Sequence, residues 1–522
     1  MSQETLIAPA TGEPLAPIKA HTFEDARRMI AEAREAQALW ASIPLRGRCQ
    51  SIRAAAGVIH DRADQIAELV ARCTGKTRID ALSTEVIPSA LAARTYSRLA
   101  PKALKQHRLR GGSLLFFNKR SLLTRAPYGV IGIISPWNYP FDIPLQSVFQ
   151  ALLAGNGVVL KVATQVQPVG ELIAGLLEAI RLPRGLFQLL HLPGPSAGTA
   201  LIEGGVDKLL FTGSTAVARE LMAKAAGRLL PLCLELGGND AMIVLRDANL
   251  QRAAAGAAWA GISNCGQSCA GVERIYVERP AYAEFVKLLR ERVETLRQGS
   301  DREGDADADF GSLTLERQLR RVRAHLEDAL AKGAVITARS RENKASELFH
   351  PALVLENVRE DMLPLKEEVF GPLLAVAPVD GWEEAVRKAN DSAYGLSASI
   401  WTKDQKLALR IACQLEVGSV TVNDHLISHG LAETPWGGFK QSGIGRLHGL
   451  LGFEELTRPR VVVFERLHRL PRNMWWYPHH RGVYRGLKAM LSLLYGRSLG
   501  ERLKGLIEVA GLFLRSFHSK GA

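Results

Sequence analysis

Between Tyr128 and Leu236 short apolar runs alternate with helical stretches, and this alternation constrains the fold more than any other feature of the chain. Residues 128–134, 158–161, 187–192, 208–211 and 230–236 read as strands; residues 143–153, 169–180, 196–203 and 215–226 read as the helices between them. Nearly unbroken apolar strands, each separated from the next by a helix, predict a parallel sheet covered on both faces. Such sheets bind ligands beyond the carboxyl ends of their strands. The polar stretches at 136–138, 161, 213–215 and 235 all fall just past strand ends, which predicts a nucleotide site there.

A second α/β unit follows. Residues 241–245 and 419–423 read as strands and 248–259 as a helix. Phe285, Leu288, Leu289, Val293 and Leu296 recur at helical spacing and read as a core stripe. Residues 301–309 are acidic and read as a solvated loop; 433–446 is a glycine-rich loop. At the other end, 1–20 is turn-rich and reads as an extended lead-in, and 22 to about 99 is helical, opened by a Thr22 cap with Glu24 and Asp25 behind it. Residues 108–125 alternate loosely and read as a ribbon outside the main body.

A chain of 522 residues, 47% of them apolar, is expected to form two or three globular domains. Its six cysteines have no regular spacing, so a reducing compartment is expected rather than a disulfide framework. Cys265 and Cys269 do not match zinc spacings, and no metal is expected. The first residues lack the pattern of a signal peptide, and no run of 18 apolar residues occurs, so the expected location is cytoplasmic. The net charge of +13 is concentrated: residues 466–522 hold eleven Lys/Arg against two Asp/Glu, or +9, which leaves +4 for the body. A basic tail on a nearly balanced body argues against a nucleic-acid partner.

The stretch Asn264-Cys265-Gly266-Gln267-Ser268-Cys269-Ala270 sets a thiol among small residues and an amide. Alone, Cys269 reads as a buried structural thiol. It gains meaning from Glu235 in Leu234-Glu235-Leu236-Gly237-Gly238, a carboxylate able to act as a base, and from Asn138 in Pro136-Trp137-Asn138, an amide able to hold an oxyanion. Together the three point to acyl chemistry on a cysteine.

Six segments then occur in order: Pro136-Trp137-Asn138, Phe211-Thr212-Gly213-Ser214-Thr215, Leu234-Glu235-Leu236-Gly237-Gly238, Gly266-Gln267-Ser268-Cys269, Glu368-Val369-Phe370-Gly371-Pro372, and the run from Pro435 to Gly443. In these the chain resembles the NAD(P)-dependent aldehyde dehydrogenase superfamily, from about residue 5 to about 465. The resemblance implies an α/β fold with a parallel-sheet coenzyme domain (1–107 and 126–236), an α/β catalytic domain (237–445) and an oligomerisation ribbon (108–125 and 446–468), followed here by a basic extension (469–522). It implies a homodimer or homotetramer that oxidises an aldehyde to the acid. Cys269 would attack the carbonyl, Asn138 and the Cys269 backbone N–H would hold the oxyanion, and Glu235 would activate the water that releases the acid. Glu235 favours hydrolysis over transfer to coenzyme A.

The resemblance also implies a coenzyme site of Ile134, Trp137, Lys161, Thr164, Thr212, Gly213, Ser214, Val217, Leu236, Glu368 and Phe370. NAD-preferring relatives often carry Glu where this chain has Thr164, and a hydroxyl cannot repel a 2′-phosphate, so either NAD or NADP is expected. Ala218 and Ser196 stand where the family often has glycine. Cys265 is expected either to line a pocket or to pair with Cys269 under oxidant.

The substrate stays open between succinate semialdehyde and long-chain or aromatic aldehydes. Arg274 and His425 are candidates by position for holding a distal carboxylate. Beyond 465 the resemblance stops. Residues 483–494 and 499–517 read as helices, and Leu499, Leu503, Leu506, Ile507, Ala510, Leu514 and Phe517 form a stripe beside Arg502, Lys504 and Arg515. The 474–517 segment is expected either to pack that stripe on protein or to lay it on the inner membrane face.

Overall fold

Every strand of the first predicted sheet forms. In the computed structural model, which describes residues 5–300 and 307–518, they are β1 (Val130–Ile134), β2 (Gly157–Lys161), β3 (Phe187–Leu189), β4 (Lys208–Thr212) and β5 (Leu232–Glu235). Their spatial order is β5-β4-β1-β2-β3, all parallel, with the short strand Gly443–Ile444 antiparallel on the far side of β5. β1 is buried at every position, so nothing polar interrupts its run. Chain order reverses between β1 and β4, and the crevice past their carboxyl ends is where such sheets take ligands. Helix α1 (Asp142–Leu153) follows β1 and is buried along its whole length; α2 (Thr215–Ala226) follows β4.

The second sheet has seven strands: β6 (Asp240–Val244), β7 (Val272–Glu278), β8 (Val335–Arg339), β9 (Leu353–Glu356), β10 (Leu373–Val379), β11 (Ser397–Trp401) and β12 (Ser419–Val422). They lie in the order β8-β9-β10-β7-β6-β11-β12, with only β8 antiparallel to its neighbour. Phe285, Leu289 and Val293 of the expected stripe are buried in the core beside this sheet. Helix α3 (Glu316–Ala331), which sequence periodicity did not single out, packs there too through Leu319 and Val322.

Two expectations change. The lead-in is a small antiparallel hairpin, Thr5–Ile7 with Pro14–Pro17, ahead of a capped helix in which Thr22 and Asp25 bond reciprocally. The segment 446–468 divides. Its helix α4 (Gly449–Glu455) belongs to the main body because Phe453, Leu447 and Leu456 are buried in that core, and only Thr457–Glu465 joins the ribbon. Residues 301–306 of the acidic loop lie outside the described residues, as do 1–4 and 519–522.

The chain divides into two compact units, one of residues 1–104 and 127–458, the other of 105–126 and 459–522. In the second, a three-stranded sheet in the order Thr457–Glu465, Lys119–Pro127, His107–Leu109 carries two helices, α5 (Arg481–Tyr495) and α6 (Leu499–Leu514). The helices pack on each other through Val483, Gly486 and Ala489 on one and Gly505, Val509 and Leu512 on the other. A side chain at Gly505 would come within 2.6 Å of the Leu493 backbone nitrogen, so the contact needs glycine. The stripe read from the sequence therefore faces outward: Leu499, Leu503, Leu506, Ile507, Leu514 and Phe517 are all at least half exposed. Close approach of two backbones selects small residues, and these displaced the large ones from the contact.

Candidate active site

The loop that carries Cys269 is held in a conformation it would not adopt alone. Asn264, Cys265 and Gly266 have φ of 52°, 55° and 69°, three successive left-handed residues. Each non-glycine residue there costs roughly 1–2 kcal/mol. Neighbouring groups offset that cost. The buried Asp80 carboxylate accepts from the Ser263 hydroxyl at 2.9 Å and the Asn264 N–H at 3.0 Å. The Gln267 side chain donates to the Asn264 carbonyl at 3.0 Å and accepts from the Thr314 N–H at 2.8 Å. At Gly266 any Cβ would sit 2.2 Å from the Gly371 carbonyl group, so this glycine is required by space as well as by φ.

Asn138 faces the same loop. Its amide nitrogen donates to the Gln267 carbonyl at 3.0 Å, which leaves one N–H free, and its backbone carbonyl accepts from Lys76 at 2.8 Å and Asn264 at 3.1 Å. Lys76 also pairs with Glu85 at 2.6 Å, both side chains fully buried, and Glu85 accepts from the Phe141 N–H at 2.7 Å. Glu85 sits in a π-helical turn, Leu82–Val86, a local widening common at functional sites.

Glu235 ends β5, and the strand Gly443–Ile444 closes over it. Both carboxylate oxygens are buried and have no hydrogen-bond partner. Burial pushes this carboxyl well above its usual range, with Arg446 partly opposing. Burial and the nearby Glu368, Asp240 and Glu235 carboxylates push the Cys269 thiol up too, so it rests protonated. Glu368 is pushed up to about 8, chiefly by burial, and accepts from the Gly238 N–H at 3.1 Å.

One cavity of about 380 Å³ gathers these groups. Asn138, Glu235 and Cys269 line it together. So do Trp137, Thr212, Gly213, Ser214 and Val217 from the first sheet's loops, and Leu236, Glu368 and Phe370 beside them. The Trp137 and Phe370 rings meet edge to face at 5.6 Å. Phe370 has φ of 55°, and its N–H is held by Glu273 at 2.8 Å while its carbonyl accepts from Gln318 at 2.8 Å.

Ile134, Lys161 and Thr164 do not line this cavity. Ile134 is buried at the end of β1, Lys161 ends β2, and Thr164 opens the turn after it. The structure adds residues that the sequence reading missed: Arg317, Gln318 and Arg321 of α3 line the cavity. Their only sequence signal was an amphipathic helix rich in arginine, which reads as a solvated face.

The donors suit a dinucleotide. Lys161 is buried, its ammonium has no partner among the described residues, and burial alone lowers it to about 8; a lone buried cation is prepared for a polar or anionic guest. The amino end of α2 has no side-chain cap at Ser214, so its N–H groups and dipole are open to a phosphate. Gly213 leaves no room for a side chain, since a Cβ would touch the Phe211 ring at 2.6 Å.

A smaller cavity on the same Cys269 and Glu235 is lined by Ile143, Ser147, Trp436, Leu447, His429 and His448. Burial lowers His429 to about 4 and His448 well below its usual range, so both are neutral near pH 7. Arg274 does not reach either cavity: it donates to the carbonyls of Asn239, Lys388 and Ala389. His425 is buried against the Ala270 carbonyl at 2.9 Å and lowered to about 4 by burial. Neither supplies the cation expected of it. Cys265 is a free thiol in the core of the second sheet and lines neither of these two cavities, so the pocket-lining reading is set aside.

The chain is similar to several known proteins. The profile described as "Aldehyde dehydrogenase family" matches residues 2–462. A 4,4'-diapolycopene aldehyde oxidase of Methylomonas is 38% identical over 90% of this chain and 87% of its own length. A putative NADP(+) succinate-semialdehyde dehydrogenase of Mycolicibacterium smegmatis is also 38% identical, over 88% of each chain. Among solved structures, an NAD+ complex of a Bacillus cereus aldehyde dehydrogenase superposes with a TM-score of 0.84 at 30% identity, covering 89% of this chain and 93% of that one. Lactaldehyde dehydrogenase of Escherichia coli gives the same score and identity over 89% and 96%.

Proposed function

The chain belongs to the aldehyde dehydrogenase family and oxidises aldehydes with NAD or NADP, and on that premise we propose how its residues divide the work and which aldehydes it takes. The observation that carries the proposal is the meeting of Cys269, Asn138 and Glu235 on one cavity with the Glu368, Phe370 and Ser214 groups suited to a dinucleotide.

The Cys269 sulfur adds to the aldehyde carbon as its proton leaves to solvent. The remaining Asn138 N–H and the Cys269 backbone N–H hold the oxyanion; such a donor contributes roughly 3–4 kcal/mol. Beside Glu368 and Phe370, a bound nicotinamide would supply the acceptor for the hydride of that carbon. Collapse of the oxyanion leaves a thioester on Cys269. Glu235 then takes a proton from water, the C–O bond forms, the C–S bond breaks, the acid leaves, and Glu235 returns its proton to the Cys269 sulfur. Lys161 and the amino end of α2 hold the ribose and pyrophosphate, Thr164 tolerates a 2′-phosphate, and both coenzymes are used.

The substrate carries no distal charge. The small cavity has no Lys or Arg, and its two imidazoles are neutral, so a semialdehyde carboxylate placed there would be desolvated without a partner, Arg317 and Arg321 lining the larger cavity instead. An apolar aldehyde meets Ile143, Trp436 and Leu447 instead. Relatives named for a diapolycopene aldehyde and for succinate semialdehyde are each 38% identical, so the reading rests on the lining of the small cavity. The ribbon strand Thr457–Glu465 lies at its sheet's edge with Val461 and Val463 exposed, which supports a homo-oligomer joined there. The tail at 474–517 brings the enzyme to a membrane surface where apolar aldehydes partition.

The test is a turnover panel. Decanal and benzaldehyde should exceed succinate semialdehyde in kcat/KM by at least about tenfold, with acid as product and Cys269→Ala inactive. A preference for the semialdehyde would overturn the substrate reading, and a fully active Cys269→Ala would overturn the mechanism.

A further inference from the structure

The hairpin of α5 and α6 spends its small residues on internal contact and turns its large apolar residues out. On α5 these are Tyr484, Leu487, Leu491, Leu494 and Tyr495, from 38% to 76% exposed; on α6, Leu499, Leu503, Leu506, Ile507 and Leu514, from 50% to 84%. At about 100° per residue each set spans one stripe, rotated in the same sense from the buried Gly486 side of α5 and the buried Gly505 side of α6. The helices are joined by the short turn at 496–498 and run antiparallel, so an equal rotation in each brings both stripes to one side of the hairpin.

The charge is arranged to match. Arg481, Arg485 and Lys488 flank the α5 stripe, all exposed, and Arg497, Arg502 and Lys504 surround the turn and the start of α6. Only Glu501 and Glu508 oppose them. Trp476 and Tyr477, 53% and 81% exposed, lie just before the hairpin. Aromatic residues with one apolar and one polar end suit the headgroup boundary.

The hairpin is also fixed to its own unit at one end. Phe116 packs on Trp475 at 5.9 Å and Phe117 on Phe513 at 5.9 Å. The Arg466 N–H donates to the Asn118 carbonyl at 2.7 Å, and Arg472 donates to the Arg515 carbonyl at 3.1 Å. No helix among the described residues is long and apolar enough to cross a bilayer.

We propose that α5 and α6 form a docking surface for a bilayer bearing anionic headgroups, with the paired leucine stripes entering the acyl boundary and the flanking arginines and lysines on the phosphates. This deepens the membrane reading of the tail given above and rests on it; what it adds is the face, the lipid charge and the residues. The combination of an unpartnered apolar face with a surplus of cations selects lipid over an apolar protein partner. Apolar area supplies the insertion, and the cations supply attraction to an anionic surface.

The test uses the full chain with vesicles of phosphatidylcholine alone or mixed with phosphatidylglycerol. The wild type should float with the mixed vesicles, bind the neutral ones at least about tenfold more weakly, and release at high salt. Leu491→Asp/Leu503→Asp/Ile507→Asp, three exposed positions, should abolish flotation while kcat/KM for propanal in solution stays at the wild-type value. Arg485→Glu/Lys488→Glu should lose the preference for anionic vesicles. Equal flotation of the triple variant and wild type would overturn the proposal. So would a wild-type assembly, seen by light scattering without lipid, that the triple variant alone dissociates, since a second copy would then own the face. Propanal turnover separates the two readings: if it fails in wild type the enzyme reading falls, and if only flotation fails the docking surface falls alone.

Discussion

Replacing Glu235 by Gln keeps the shape of the side chain and removes its proton-accepting form. The expected result is one rapid equivalent of reduced coenzyme per site followed by turnover about 10²–10⁴-fold slower, read by stopped flow. In the wild type the acid form is favoured by burial, and the base form is the active one. Turnover limited by thioester hydrolysis should therefore rise with pH; a flat kcat profile from about pH 5 to about pH 9 would contradict the assignment. Lys161 has the opposite sign. Lowered to about 8, it is charged below that pH and neutral above it, so the KM for coenzyme should climb as pH passes 8, more steeply for NADP than for NAD. These residues were legible because each sits in a short motif at a strand end. Lys76, Asp80 and Glu85 were not, because they act through space on loops far along the chain and belong to no motif.

The nucleophile loop and its supports behave as one element. Gly266→Ala puts a methyl group into the Gly371 backbone, so the loop must move; activity should vanish and unfolding should occur at lower urea, with a loss of more than about 1 kcal/mol. Lys76→Met leaves Glu85 buried without its partner, which should cost about 3–5 kcal/mol and release Asn138, measurable as a fall in both stability and kcat. At this scale the alternating strands and helices of the first sheet were readable to within a few residues, because continuous apolar runs and helical spacing differ in period. Helix α3 and the α5–α6 contact were not. An arginine-rich amphipathic helix carries no mark that it borders a cavity, and periodicity weights large side chains, whereas the tail helices meet through Gly486 and Gly505.

At the scale of the whole molecule, the ribbon edge and the tail stripe are apolar surfaces that the single chain leaves exposed. Val461→Asp/Val463→Asp places charges on the exposed edge of the ribbon; light scattering should show a smaller species than wild type, and an unchanged mass would exclude that edge as the joint. Domain class was legible from the alternation, but the ribbon's extent was not, since α4 reads like its continuation until Phe453 is seen in the body's core. The strand Gly443–Ile444 that pairs beside Glu235 has a consequence for the newborn polypeptide. The ribosome releases it long after the sulfur and the carboxylate have emerged. A nascent chain that has not reached 443 therefore holds both reactive groups while the edge of β5 beside the carboxylate is still unpaired.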